Sequence, residues 1–169
     1  MTSKLTRYST CLAALLSISA IAAEEEQHLV TFQSMTTDTA LKAAQATMAS
    51  CRSKGYQVSV AVVDRGGNVQ VLLRDRFAGS HTPETAIGKA ATAVSFRTNT
   101  TELAEQVQSG EIPSGIQNIS GVVMVGGGVG IEAAGSMIGG IGVSGAPGGQ
   151  LDEDCANAGV EAILELIEF

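Results

Sequence analysis

The 169-residue chain has no tryptophan, four phenylalanines and two tyrosines. A core without large rings must be filled by small aliphatic side chains that each bury modest area. Contacts with further copies of the chain would have to supplement it, so a homo-oligomer is expected. Histidine is equally scarce, with His28 and His81 alone, and no Cys/His cluster has zinc spacing. Basic residues number 10 against 17 acidic ones, which disfavours nucleic-acid binding through phosphate neutralisation. No basic helix suggests an anionic membrane surface. A phosphate-loop lysine-serine pair and a Gly-x-Ser-x-Gly elbow are both missing.

The apolar run near the start is too short to span a bilayer as a helix. Lys4 and Arg7 precede a stretch from Cys11 to Ala22 that closes on Ala20-Ile21-Ala22-Ala23, the order of a secretory signal and its small-residue cleavage site. Residues 1–23 are therefore expected to be a signal peptide removed on export to a periplasmic or extracellular compartment. Residues 24–169 then form one domain of ordinary size. Cleavage leaves eight basic against 17 acidic side chains, a net charge of −9. Cys11 goes with the signal, while Cys51 and Cys155 remain, either as a disulfide or as two buried thiols.

Thr36 or Thr37 can cap a helix in which Leu41, Ala44, Met48 and Cys51 recur at helical spacing and which Gly55 ends. Val58 to Val63 is a β-branched run suited to a buried strand, and Asp64-Arg65-Gly66-Gly67-Asn68 is a hairpin signal returned by Val69 to Leu73. Thr82-Pro83-Glu84, with Thr82 as the capping hydroxyl, opens an alanine-rich helix to about Arg97, and a shorter one runs from Thr100 or Thr101 to Ser109. Val122 to Val125, Ile131 to Ala134 and Met137 to Val143 are strand candidates between glycines. The last helix begins near Leu151, with Asp152 to Asp154 at its positive end and Cys155, Gly159, Ala162 and Leu166 on its apolar stripe. The order α-β-β-α-α-β-β-β-α predicts an α+β fold, a five-stranded antiparallel sheet flanked by helices.

Gly140-Ile141-Gly142-Val143-Ser144-Gly145 matches the dinucleotide glycine pattern, but that fingerprint follows a strand and opens a helix. Here the glycines fall inside a strand candidate and meet Pro147 before any helix, so they read as sites of close backbone approach. Gly145-Ala146-Pro147-Gly148-Gly149 leads into the last helix and could aim free N–H groups at an anion, although the acidic residues at 152 to 154 compete for that helix end.

Thr85, Lys89 and Thr92 fall at i, i+4 and i+7 and form one polar stripe on the alanine-rich helix. His81 stands at the mouth of this helix, and Arg74, Asp75 and Arg76 end the preceding strand. A histidine, cationic side chains and apolar walls are what a haem needs for its iron, propionates and ring.

Three segments taken together are similar to a known family. These are Val58 to Asn68, the stretch His81-Thr82-Pro83-Glu84-Thr85-Ala86 continuing through Lys89 to Ser95, and Ile141 to Gly149 with Asp152-Glu153. In that order they resemble the HbpS/GlcG-like family of haem-binding proteins, once labelled haem-degrading domains, over about Met35 to Leu166. The resemblance implies an antiparallel sheet flanked by helices, self-association and, in exported members, haem binding linked to redox or haem sensing. On this reading His81 is the axial ligand to haem iron, Lys89, Arg74 and Arg76 pair with propionates, and Thr85 and Thr92 line the site. Two other readings stay open. One is a small enzyme, haem-degrading or otherwise, with Glu84 or Asp64 as base; the other is a partner-binding subunit, for instance of a membrane sensor.

Overall fold

The structure, a computed structural model, describes residues 28–168. The expected signal peptide at 1–23 and Cys11 lie outside the described residues. His28 lies in an exposed, irregular stretch.

Helix α1 (Thr37–Ser53) starts where sequence places it: Thr36 is the N-cap, and its hydroxyl accepts the Thr39 N–H at 3.2 Å. Strands β1 (Ser59–Asp64) and β2 (Val69–Arg74) form the expected hairpin. Asp64 Oδ1 accepts the N–H groups of Gly66 at 2.8 Å and Asn68 at 2.9 Å, and Gly67 turns the chain at φ +81°. Helix α2 (Thr82–Phe96) follows, then α3 (Thr100–Gln108), a 3₁₀ turn (Ser114–Asn118), β3 (Gly128–Ala133), β4 (Ser136–Ser144), α4 (Gly149–Glu161) and the short α5 (Leu164–Ile167). α4 stops before Ala162, which is exposed, and Leu166 is half exposed; neither joins the apolar stripe expected of them.

The sheet has four strands in the order β2-β1-β4-β3, all antiparallel, so the five-stranded expectation is corrected. The missing strand is Val122 to Val125. Its Val123 N–H donates to Thr92 Oγ1 at 2.9 Å, a bond to α2 instead of to a ladder, and Gly121 (φ +83°) and Gly127 (φ +114°) bend the chain on either side. Apolar composition alone made this loop look like a strand.

Alternation along the strands gives the sheet two different faces. On one, Val58 just ahead of β1, Val60 and Val62 of β1, Ile131 of β3, and Ile141 and Val143 of β4 are buried with α1 and α4 in the main core. Cys51 and Cys155, both fully buried, form a disulfide between those helices, with Cα atoms 5.4 Å apart. On the other face α2 lies directly on glycine backbone. A Cβ at Gly142 would collide with the Ala86 carbonyl and stand 2.7 Å from Ala90 N, and one at Gly140 would stand 2.8 Å from Val94 Cγ2. The glycine run thus serves helix packing, as its position inside a strand implied.

Candidate functional site

Because α2 rests so close to β4, its first turns and the loop from Ser144 into α4 form the two sides of a cleft. The cavity is about 550 Å³, within the range of small-molecule sites. His81, Thr82, Thr85 and Lys89 line it from the α2 side, Ser144 and residues 145–149 with Asp152 from the other, and Tyr56, Phe77 and Val125 supply apolar surface.

His81 occupies the N-cap position of α2, but its side chain caps nothing and is exposed. Thr82 does not cap the helix as its sequence position suggested. Its hydroxyl donates to the Gly79 carbonyl at 2.8 Å and pairs with Ser59 Oγ at 2.8 Å, pinning the start of α2 to β1. Thr85 Oγ1 donates to the His81 carbonyl at 3.0 Å.

Lys89 is 2% exposed, and its ammonium donates to the Val143 carbonyl at 2.9 Å and to Asp152 Oδ2 at 2.8 Å. Two of its three N–H groups are thus engaged and its charge is matched, so Lys89 is a structural floor and not the free counter-charge read from sequence. Asp152, 3% exposed, also accepts the Ala146 N–H at 3.0 Å. Burial pushes the Asp152 carboxyl above its ordinary 3.8, while Lys89 and the Ala146 N–H pull it back.

The remaining expected residues are placed differently. Thr92 is buried, holds Val123, and lines a separate cavity of about 380 Å³ with Phe96 and Ile119. Arg74 Nη2 donates to the Ala78 carbonyl and so braces the 75–80 loop. The Arg76 guanidinium stands 5.0 Å from the centroid of the Phe77 ring, beside the cleft mouth. Between them, Asp75 is buried and accepts Arg52 at 2.5 Å. Glu84 and Asp64, the candidate bases, are not among the cleft residues. Asp64 ends β1 at the strand terminus opposite Ser59, roughly 17 Å away at the usual rise.

Sequence reasoning missed Phe77, Ser144 and Asp152 as cleft residues. Phe77 carried a signal, a large apolar side chain in a polar loop, and it is 75% exposed. Asp152 was read as a helix-end charge and as part of a family motif; a lysine on an alanine-rich helix calls for a buried carboxylate, but nothing local says which one.

Residues 35–161 match the family model described as haem degrading protein HbpS-like. The chain belongs to the HbpS-like family. Among solved HbpS-like structures, HbpS itself is 40% identical with a TM-score of 0.76, over 80% of this chain and 94% of HbpS. A PduOC:heme complex is 30% identical with a TM-score of 0.73, over 78% of this chain and 96% of that one. An uncharacterized 15.0 kDa protein from the dhaT-dhaS intergenic region of Citrobacter freundii is 35% identical over 117 residues, 68% of this chain and 80% of that protein.

Proposed function

We propose that this protein binds haem in the cleft at the start of α2, as a binding module and not as a dedicated enzyme. The observation that carries the reading is that His81, uncommitted in its side chain, and the exposed Phe77 line one 550 Å³ cavity. The PduOC relative, solved as a heme complex, supports the ligand class. His81 would hold the haem iron, offering an imidazole at a helix mouth where the 75–80 loop leaves it accessible. Phe77, Tyr56 and Val125 cover the macrocycle, and Thr85 lines the rim. Arg76 at the mouth pairs with a propionate; Arg74 acts indirectly, by bracing the loop that carries Phe77. Bound haem supplies a redox-active iron. The Cys51–Cys155 disulfide suits an oxidising compartment and supports export, with haem or redox sensing through self-association and a membrane sensor partner as the wider role.

An absorption titration of the purified protein with haem tests this. A Soret band saturating at fixed stoichiometry is expected, His81→Ala should move the band and weaken binding about tenfold or more, and His28→Ala should do neither. An unaltered spectrum in His81→Ala would remove His81 as the ligand, and no saturable band in the unaltered protein would remove the haem reading.

A further inference from the structure

We propose that the floor of the cleft is a carboxylate-binding subsite, made by the uncapped first turn of α4 and the Ser144 hydroxyl. It shares the cleft with the haem reading but stands or falls by its own measurement.

By sequence, Asp152, Glu153 and Asp154 compete with an anion for the positive end of α4. In the structure Asp152 stands in the first turn of α4, but none of the three accepts a first-turn N–H. Asp152 turns back to Lys89 and the Ala146 N–H. Glu153 is buried and accepts Thr101 Oγ1 at 2.5 Å. Asp154 is exposed and accepts Gln150 Nε2 at 3.3 Å. The N-cap is Gly148, which has no side chain to offer, and α4 makes no side-chain cap bond over its 13 residues. The first-turn N–H groups of Gly149 and Gln150 are thus left to solvent or a ligand, at the end of the helix where negative charge is favoured.

A second, independent observation points to the same place. Ser144 is 5% exposed and lines the cleft, and among the described residues its hydroxyl has no hydrogen-bond partner. It sits opposite Ser59 in the sheet register, on the face where Ser59 already pairs with Thr82. The hydroxyl of a buried serine, open to a cavity beside free backbone N–H groups, is a donor set for an oxyanion. The Lys89–Asp152 pair adds no net charge to oppose it, since its two members balance. The carboxylate could be a haem propionate directed inward or a free small organic acid.

Acetate, titrated into the full-length chain against chloride at matched ionic strength, is the probe, read by the amide ¹⁵N–¹H shifts of Gly149 and Gln150. A saturable shift is expected, about fivefold weaker in Ser144→Ala. It should be abolished in Gly148→Asp, whose own carboxylate caps the turn. That variant should fold: a Cβ at Gly148 meets nothing within 4 Å, and the backbone there is extended. No saturable shift, or one unchanged in Gly148→Asp, overturns the subsite whether or not haem binds. Given the shift, haem binding several-fold tighter than its dimethyl ester, with the advantage lost in Gly148→Asp, identifies a propionate as the occupant. Equal affinity for both, or no haem binding at all, identifies a free acid.

Discussion

The two faces of the sheet are built by opposite means. The face under α1 and α4 is filled by valine and isoleucine side chains and closed by a disulfide, so its helices stand off the sheet at side-chain distance. The face under α2 has glycine and alanine at the contact, so backbone meets backbone, with Ser59 paired to Thr82 and Lys89 to Asp152 beside it. Volume holds the first face; fit holds the second. The cleft opens on the second face, where a helix that cannot approach further leaves its first turn overhanging the loop into α4.

That contrast can be broken at several points. Replacing Cys51 or Cys155 with alanine removes a link across a sequence separation of 104, which chain-entropy arguments value at about 4 to 5 kcal/mol. Denaturant midpoints under non-reducing conditions should show most of that loss, with the Soret titration of the folded fraction unchanged. Lys89→Met strands Asp152 in the floor. Breaking a buried pair typically costs about 3 to 5 kcal/mol, and a loss in that range is expected. Unlike the disulfide variant, this one should also lower haem affinity. Gly142→Ala forces α2 off the sheet and should cost roughly 1 to 3 kcal/mol by overpacking. Its neighbour Ile141→Val on the other face should cost about 1 kcal/mol by leaving a gap. A methyl added to one face hurting more than a methyl removed from the other would sharpen the comparison; the reverse order would sink it.

The smallest effects are in pH. The Asn68 N–H, foremost among its donors, holds the Asp64 carboxyl below its ordinary 3.8, so its contribution to stability is present above that value and lost as pH falls through the lower folded value. Asp152 has the opposite sign. Its folded value is raised, so its contribution is full below 3.8 and lost as pH rises through the folded value. Thermal melts over acid pH should therefore fall less steeply in Asp64→Asn and more steeply in Asp152→Asn than in the unaltered protein.

Much of this architecture could be read locally. The Thr36 cap, the Asp64-to-Asn68 turn and the glycines of β4 each declare themselves within a few residues, because caps, turns and alternation are short-range physics. Thr85 and Lys89 were legible together by helical spacing and His81 by its place at the mouth of that helix, and all three line the cleft. Thr92 shows the limit of that reasoning: one turn further along the same stripe, its hydroxyl is taken by Val123. The partner of Lys89 is equally invisible from sequence, since Asp152 reaches it only after the sheet has brought α2 and α4 together. The fifth strand failed for the same reason, because whether an apolar run pairs depends on what lies beside it.

The central pairing of the sheet has a bearing on how the chain comes to be folded. β1 has its local neighbour in β2, but its other edge is filled by β4, with Ser59 opposite Ser144 and Asp64 opposite Gly139. An emerging chain that has not yet supplied residue 144 holds a hairpin and helices with an open edge between them, and the late strand that must close it is rich in glycine, a poor strand former on its own. Loop closure over such a distance is slow, and the unfilled edge of β1 is a template for any other extended segment in the meantime. The order of synthesis thus leaves this protein most exposed to mispairing just before its last third arrives.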